Sequence, residues 1–378
     1  MRVAGRHAGI LTTAVVVACA LAAPAQAALG QTLTLTTRLS TFYDDNYLQY
    51  SDGQLSDFES GRHPARFGIE TTDDAIFNPS LGLLWELDQG HGRRHAARLR
   101  GEGDFHGRNG TADFRSLSVG WREDFGREHR LLLGYYLVPH YYLRQLFDED
   151  WTAAPASVRY RRAQFGLQIA SVGWDQRLTR GTSLGADYQY ERRHYAPPFD
   201  VRTSGLHQGA IRTDWTRLPH QGSVELRGGY RFSHSDSTDG DDAAGQPSDD
   251  VDVSYRGIVA GPSGRVEFWR RGAWRLGGDL AWDLETRHYL SKVRTDKYHV
   301  GRRDVLNAVE VGVRTAYRPH WSWRTFYRHE QNTARLGSAA PLSTDAGSYK
   351  VNQVGLAIEW TGELWSGAEA RGTDERED

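Results

Sequence analysis

Charged side chains occupy alternate positions in several stretches of this chain, and they are its main candidates for chemistry. Between residues 222 and 233, Glu225, Arg227 and Arg231 alternate with apolar residues. Successive side chains of a strand point to opposite faces, so this spacing collects the charges on one face. Fixed charges of both signs on one face can select ions or bind polar solutes. The candidates for this role are Arg98, Arg100, Glu102, Glu225, Arg227, Arg231, Asp279, Asp283, Glu310, Arg314, Arg324 and Arg328.

This charged face has two interpretations. It is the wall of a water-filled pore whose charges set selectivity, or a network of arginine-carboxylate pairs that braces the wall. Arg256 and Arg265 also enter the charged set, but they share a predicted strand and differ in parity. Both reach the same face only if a β-bulge lies near Gly261-Pro262, which we therefore predict.

Two other groups of residues resemble metal sites only weakly. The Asp residues in and near segment 237–250 offer hard oxygen ligands for calcium, but no known ligand spacing is present. A solvated loop is the favoured interpretation. His91 and His95 are four residues apart, which pairs ligands on a helix but here spans a predicted turn. We predict no metal site and no cofactor.

Strands are the elements expected to position these charges. The chain has 378 residues, 25% of them charged, and a mean hydropathy of -0.63. A bundle of spanning helices is excluded, because each helix needs about 20 nearly uncharged residues in a row. The net charge of -2 gives no reason to expect a nucleic-acid partner. Alternation predicts fourteen strands, near residues 31–44, 79–88, 94–106, 112–125, 129–143, 158–177, 182–195, 202–217, 222–236, 251–268, 274–290, 302–317, 321–335 and 348–360.

The N-terminus has the parts of a secretory signal. A basic leader precedes an apolar segment at residues 8–23, and residues 25–27, Ala-Gln-Ala, form a small-x-small cleavage pattern. We predict a signal peptide over residues 1–27. The alternative is a lipoprotein signal with lipid on Cys19. Cleavage after Ala27 removes the single Cys and the single Met, and with them any thiol chemistry.

Tryptophan and tyrosine separate to opposite ends of the predicted strands. The Trp side chains lie next to short turns or the C-terminal exit, whereas a set of Tyr side chains lies toward the long connections. Both residue types prefer membrane interfaces, where a ring meets hydrocarbon and its polar tip meets water. The predicted girdle comprises Trp85, Trp121, Trp174, Trp215, Trp269, Trp274, Trp321, Trp323 and Trp360.

Connections between the predicted strands alternate between short turns and mostly longer loops. A transmembrane barrel has short turns at one end, longer loops at the other and an even number of strands. A soluble sandwich or propeller also alternates, but it gives no reason for Trp and Tyr to occupy opposite strand ends. We therefore predict an all-β fold: a transmembrane, antiparallel, up-and-down β-barrel of about fourteen strands.

The chain resembles the outer-membrane β-barrel proteins of Gram-negative bacteria, and in particular porin-like barrels. Residues 349–360 alternate and end in an aromatic residue, similar to the terminal strand that the barrel-assembly machinery recognises. Residues 43–46, Tyr-Asp-Asp-Asn, are similar to a motif of several porin-like barrels. The resemblance implies a barrel over residues 28–360, a periplasmic tail over 361–378, and residence in the cell outer membrane. It also implies outer-membrane lipid, lipopolysaccharide and the assembly machinery as partners.

Diffusion of small hydrophilic solutes through a porin-like channel is the function we predict. The alternative is a non-conducting structural or surface-interaction barrel, and the two differ in whether loop 45–78 folds into the lumen. A hydrolase is the least favoured function. His207 lacks the Ser context of outer-membrane phospholipases, and the pair Asp44-Asp45 has no identified His partner. Because catalytic sets are recognised by role and geometry, we predict no enzyme.

Overall fold

The computed structural model describes residues 30–147, 160–236, 252–292, 299–337 and 347–367. The predicted signal peptide lies outside the described residues, as do Cys19 and the whole Asp-rich segment 237–250. None of the helices in the described ranges is long and apolar enough to cross a membrane.

Fourteen strands make up most of the described chain. Their bounds are β1 Gly30–Asp44, β2 Asp74–Gly90, β3 Arg93–His106, β4 Phe114–Phe125, β5 His129–Phe147, β6 Tyr160–Arg177, β7 Thr182–Tyr195, β8 Ser204–Leu218, β9 Gly222–Ser235, β10 Tyr255–Arg271, β11 Trp274–Tyr289, β12 Arg303–Tyr317, β13 Trp321–Arg335 and β14 Tyr349–Gly367. One α-helix, α1, spans Asp52–Glu59, and short 3-10 helices span Pro64–Arg66, Gly110–Ala112, Asp200–Arg202 and Pro219–Gln221.

The strands form one closed antiparallel barrel in which each strand pairs with its sequence neighbours. β1 closes the barrel against β14, with Arg38 opposite Glu359 and Tyr43 opposite Val354. Closure satisfies every strand edge, which a spanning sheet requires because hydrocarbon offers no hydrogen bonds. The predicted architecture of fourteen antiparallel strands is confirmed.

The short turns need backbone conformations that glycine supplies. Gly126, between β4 and β5, has φ of 69°, and Gly272, between β10 and β11, has φ of 59°. Positive φ costs little without a Cβ, so these residues reverse the chain within a few residues. Both chain ends of the barrel, Gly30 and Gly367, lie at this short-turn end because the strand number is even.

Apolar side chains cover the outside of the barrel. Each strand contributes at least one exposed large side chain to this surface, which is expected where a barrel meets acyl chains. The apolar exterior includes Leu39, Leu81, Leu99, Leu117, Leu133, Val172, Tyr188, Ile211, Leu226, Ile258, Leu280, Val311, Tyr327 and Val354.

Two predicted strand boundaries are wrong by five residues or more. β14 continues to Gly367 and pairs Trp365 with Leu33, so the barrel does not end at Trp360. The tail is therefore shorter than the predicted 361–378, and the rest of it lies outside the described residues. β2 begins at Asp74, five residues before its predicted start at 79. The strand extends past its apolar residues toward the long-loop end of the barrel.

The predicted bulge at Gly261-Pro262 is also wrong. β10 pairs with β9 in unbroken register from Tyr255 to Arg265, and its register shift with β11 falls between Glu267 and Trp269. Arg256 therefore keeps the outward parity of its partner Phe232. The long-loop end of a strand lies beyond the apolar exterior, so a charge can face outward there.

The long connection between β1 and β2, residues 45–73, is called L1. Its helix α1 begins after Ser51, whose Oγ accepts a hydrogen bond from the Gln54 backbone N–H at 3.3 Å. The Gln54 side chain in turn accepts from the Ser51 backbone N–H at 3.0 Å. This capping box satisfies two donors at the helix start and fixes a compact fold within L1.

Candidate functional site: the charged lumen

The inward face of the barrel carries the charged residues selected from the sequence. On β12 the exposed Val309, Val311 and Val313 face outward, so Glu310 and Arg314 between them face the lumen. Registered partners on neighbouring strands share a face, which extends this assignment around the barrel. The structure thus places in the lumen Arg98, Arg100, Glu102, Glu225, Arg227, Arg231, Asp279, Asp283, Glu310, Arg314, Arg324 and Arg328.

One chain of ion pairs crosses β11, β12 and β13. Arg324 bonds to Asp279 and, at 2.5 Å, to Glu310. Arg328 lies 3.7 Å from Glu310 and donates to Glu330 at 2.8 Å. Each guanidinium therefore links carboxylates of different strands or positions, so the bracing interpretation applies to this part of the wall.

A second braced group lies on β8, β9 and β11. The Arg231 guanidinium donates to the Gln208 amide oxygen at 2.8 Å and to the Glu285 carboxylate at 2.7 Å. Glu285 is buried and also accepts from Arg287 at 2.7 Å. Two cations share one carboxylate here, so this group carries a positive excess.

Negative charge dominates the part of the lumen wall near the short turns of β6 to β9. Arg212 bonds to Asp175 and lies 3.3 Å from carboxylate oxygens of both Asp187 and Asp214. Glu225 pairs with Asp214 in the strand register. Four carboxylates therefore lie beside two guanidinium groups, Arg212 and its registered neighbour Arg227, so this part of the wall stays acidic.

Other candidates face the lumen without such bonds. Arg98, Arg227, Asp283 and Arg314 have no oppositely charged group within 4.0 Å in the part of the chain that the structure describes. These four side chains point into the barrel, and all four are exposed. An exposed charge inside a barrel requires water around it, so here the pore interpretation applies. Arg100, by contrast, pairs with Glu102 at 2.7 Å.

A cavity of about 680 Å³ occupies the lumen near the short-turn end. It lies against β10 to β14 and β1, on the side away from the acidic group. Its charged lining comprises Arg38, Arg265, Arg275, Arg314, Arg318 and Arg324 against Glu267, Asp279 and Glu359. We call this cavity the basic chamber, because arginines outnumber carboxylates in its wall.

Arg38 lies in the wall of the basic chamber, opposite Glu359 of β14 in the strand register. Its Nε is buried and has no hydrogen-bond partner among the described residues. Glu359, its registered neighbour on β14, attracts it, whereas Arg100, Arg314 and Arg324 repel it. The surplus of arginines around Arg38 makes the potential positive in this part of the lumen, which attracts anions.

L1 crosses the other end of the lumen. Gln49 donates to the Glu330 carboxylate of β13 at 3.2 Å, and the carbonyl of Leu48 accepts from Arg144 of β5 at 3.0 Å. β13 and β5 are separated by five strands on the shorter way around the barrel. Two consecutive loop residues therefore contact nearly opposite walls, and L1 narrows the mouth of the lumen at the long-loop end.

An aromatic cluster holds L1 in this position. Tyr50 is 1% exposed and meets Phe67 edge-on, with ring centroids 5.4 Å apart. Tyr142 of β5 is buried in the same cluster. The Arg144 guanidinium lies 5.3 Å from the Tyr50 ring centroid, a cation-π distance. Burial raises the pKa of the Tyr50 hydroxyl, which stays neutral at physiological pH.

The Asp44-Asp45 pair anchors the start of L1. Asp44 accepts from the Asn46 backbone at 2.9 Å and from the Gln353 side chain at 2.8 Å. Asp45 accepts from the Asn352 side chain at 2.7 Å. These bonds join β1 to β14 at the long-loop rim, so the pair has a structural role in this arrangement.

Two histidines considered from the sequence lie on the outward face. His95 bonds to Glu123 at 2.7 Å beside the short turns. His207 bonds to the Tyr188 hydroxyl at 2.7 Å and stacks near His234. Among the described residues, no group of three or more His, Cys, Asp or Glu is arranged to hold a metal ion.

Sequence reasoning missed several residues of the site. Asp175 and Glu359 face the lumen, and strand parity applied to β6 and β14 would have found both. Gln49, Tyr50 and Arg144 were missed for another reason. Their roles depend on where L1 lies in space, and alternation carries no signal for that.

Outward-facing tryptophans encircle the short-turn end. Trp174, Trp269 and Trp274 are each more than 40% exposed on the apolar exterior. Others stack on neighbours, as Trp321 does on Trp323. The remaining members of the predicted girdle lie on the same face: Trp85, Trp121, Trp215 and Trp360. The fold is that of an outer-membrane β-barrel.

Comparisons with known proteins find similar shapes and no sequence relative. No family model matches the chain, and no curated protein matches it. The outer-membrane channel DcaP of Acinetobacter baumannii is 12% identical with a TM-score of 0.45, covering 88% of this chain and 97% of that one. An anion-selective porin from Comamonas acidovorans is 10% identical with a TM-score of 0.39, covering 88% and 99%. A bacterial polysaccharide outer membrane secretin is 9% identical with a TM-score of 0.44, covering 86% and 97%.

Proposed function

We propose that this protein is exported to the outer membrane and forms a channel for diffusion of small hydrophilic solutes. L1 narrows the external mouth of this channel. The basic chamber gives it a preference for anions at the opposite end. The protein is not an enzyme in this proposal, and its partners are solutes, outer-membrane lipid and the machinery that inserts it.

The exposed charges inside the barrel carry this proposal. Asp283 lies in the middle of β11, faces inward and is exposed. A side chain at that depth can be both inward and exposed only if the lumen holds solvent, because a buried unpaired charge costs several kcal/mol. A lumen that solvates Asp283 midway through the membrane provides part of a path for a polar solute.

The chamber supports the anion preference. Arginines outnumber carboxylates six to three in its charged lining. Fixed positive charge inside a low-dielectric wall raises the local concentration of anions. The acidic group around Arg212 lies on the other side of the lumen, so the wall attracts both signs at separate places.

Single-channel recording in a planar bilayer tests the proposal. The purified protein should give discrete conductance steps, and a salt gradient should give a reversal potential of the sign expected for anions. Reconstituted liposomes should also swell in small sugars faster than protein-free liposomes. A protein that inserts and folds but shows neither steps nor swelling would overturn the proposal.

A second candidate is a non-conducting barrel, and the position of L1 favours it. Gln49 and Leu48 join opposite walls at the mouth, and the aromatic cluster around Tyr50 is densely packed. Replacing residues 47–70 with a short Gly-Ser linker separates the two candidates. Conductance in both proteins supports the channel, whereas conductance in the shortened protein alone supports a barrel that L1 closes.

A further inference from the structure

The last part of β14 lies beside the basic chamber. Thr361 of β14 lines the chamber, and its backbone N–H donates to the His320 carbonyl at 2.8 Å. His320 belongs to the turn 318–320, which also contributes Arg318 to the chamber wall. β14 then continues to Gly367, paired with β1. The strand therefore leaves the barrel at the end where the chamber lies.

Beyond Thr361, one edge of β14 is uncovered. β13 begins at Trp321, which pairs with Trp360, and among the described residues no strand pairs with 362–367 on that side. β1 covers the other edge. The chamber lies on the β13 side, against β10 to β14 and β1. The described strands therefore leave open the side of β14 that is turned toward the chamber.

The sequence that follows Gly367 is acidic. Residues 368–378, which we call the acidic segment, lie outside the described residues and contain five carboxylates and two arginines, a net charge of -3. Four of these carboxylates fall within residues 374–378. The charged lining of the basic chamber comprises six arginines and three carboxylates, an excess of three positive charges. Because the two net charges are equal and opposite, the segment and the chamber attract each other.

Positive charge also surrounds the mouth of the lumen at the short-turn end. Each of the six short turns has an exposed arginine in it or within two residues of it: Arg93, Arg127, Arg180, Arg217, Arg271 and Arg318. None of these six lies within 4.0 Å of a carboxylate in the part of the chain that the structure describes, whereas Arg94, Arg130 and Arg270 beside them are paired. Among the residues of the turns themselves, only Glu128 is negative. The summed potential of the mouth therefore attracts an anionic segment.

The acidic segment is long enough to reach the chamber. An extended chain spans at most about 3.3–3.6 Å per residue, so eleven residues reach at most about 36–40 Å. Fourteen strands about 4.8 Å apart and tilted by about 40° form a barrel roughly 28 Å across. The segment can therefore span the mouth from Gly367. A cavity of about 680 Å³ has the size of a small-molecule pocket, so it can hold a few side chains of the segment.

We propose that residues 374–378 of the acidic segment bind in the basic chamber of the same chain. Arg275, Arg314 and Arg318 are the expected partners, since none of them has a carboxylate within 4.0 Å in the described ranges. Arginine binds a carboxylate through two parallel hydrogen bonds. The segment thereby competes with anionic solutes for the chamber. This inference uses the chamber of the proposed function, but it does not require the barrel to conduct.

Binding of a synthetic peptide with the sequence of residues 368–378 tests the proposal, measured by fluorescence anisotropy in detergent. The receptor is the full chain with a neutral segment, carrying Asp374→Asn, Glu375→Gln, Glu377→Gln and Asp378→Asn. It should bind the peptide at least tenfold more tightly than the unchanged protein, whose own segment competes at an effective concentration on the order of mM. No binding by the neutral-segment protein, or equal binding by the two proteins, overturns the proposal.

Receptor variants locate the peptide. In the neutral-segment protein, Arg275→Gln with Arg318→Gln should weaken peptide binding at least tenfold. The matched control Arg127→Gln with Arg180→Gln removes the same charge from turns on the other side of the mouth, and it should bind within twofold of its parent. Equal loss in both double variants would place the peptide on the mouth as a whole and contradict the assignment to the chamber. Heat-dependent gel mobility reports folding of each variant.

Protein concentration separates binding within one chain from binding between two. A segment that occupies its own chamber makes the unchanged protein equally resistant to the peptide at every protein concentration. Resistance that grows with protein concentration would place the segment of a second copy in the chamber and overturn the assignment to one chain. None of these measurements uses a current, so a barrel that binds the peptide but does not conduct would refute the proposed function and leave this inference intact.

Discussion

The two ends of the lumen differ although the same strands build both. At the long-loop end, L1 joins Glu330 of β13 to Arg144 of β5 and buries Tyr50 in an aromatic cluster. At the short-turn end, turns of a few residues leave a chamber of about 680 Å³ lined by arginines. The barrel wall thus supplies the charges of the lumen, and L1 sets the width of its opening at the long-loop end. Size limits and charge selection are therefore expected to respond to different mutations.

Removing L1 should have the largest effect on this comparison. With residues 47–70 replaced by a short Gly-Ser linker, the mouth at the long-loop end loses the segment that crosses it, and conductance in planar bilayers should rise severalfold. Ion selectivity should stay close to that of the unchanged protein, because the basic chamber is untouched. Glu59→Gln, on an exposed position of α1, is the control and should change neither quantity. Equal conductance with and without L1 would mean that the narrowest point lies elsewhere.

At both ends of the barrel, alternate residues of each strand face the lumen and the residues between them face outward. Leu280 is 54% exposed on the outside of β11, where an arginine near the middle of the membrane costs about 2 to 4 kcal/mol. Leu280→Arg should therefore sharply lower the yield of folding into liposomes, measured by heat-dependent gel mobility. Asp283→Asn, on the inward face of the same strand, should fold normally. Equal yields would show that the faces are assigned incorrectly.

Neutralising the chamber should alter selectivity more than conductance. The double variant Arg38→Gln, Arg314→Gln should shift the reversal potential toward cations in a salt gradient. The shift should shrink between 0.1 M and 1 M salt, because the screening length falls from about 10 Å to about 3 Å. Arg271→Gln removes a charge at the same end of the barrel but outside the lumen, and it should cause no shift. A shift of the same size in Arg271→Gln would argue against the chamber as its source.

The alternation of residues along each strand is enough to predict which charged side chains face the lumen. It does not predict contacts that depend on how strands and loops lie relative to one another. Glu310 and Arg314 follow from the valines that flank them, because a regular strand alternates without exception. Arg256 was assigned inward through a bulge that β10 does not contain. That error came from treating every charge as lumen-facing, whereas strand ends leave the apolar band. Whether Arg324 is bonded or Arg314 is free depends on neighbours two strands away, which no single strand pattern encodes.

The mildest test concerns the buried hydroxyl of Tyr50. It has no hydrogen-bond partner among the described residues, and leaving a buried polar group unpaired costs about 1–3 kcal/mol. Tyr50→Phe keeps the ring contacts with Phe67 and Arg144, so the free energy of unfolding in urea should stay equal or rise by up to about 1 kcal/mol. Tyr50→Ala should lower it by about 3–5 kcal/mol and loosen L1.

The difference in stability between the unchanged protein and Tyr50→Phe should depend on pH. Burial raises the pKa of Tyr50 in the folded protein, so the unfolded chain loses this proton first as pH increases. Above about pH 10, where an unperturbed tyrosine ionises, the unchanged protein should therefore lose stability relative to Tyr50→Phe. At neutral pH both hold no charge at this position and should unfold alike apart from the constant offset. A Tyr50→Phe protein that is clearly less stable at neutral pH would mean that the hydroxyl has a partner, and that L1 is held by a polar contact as well as by its aromatic packing.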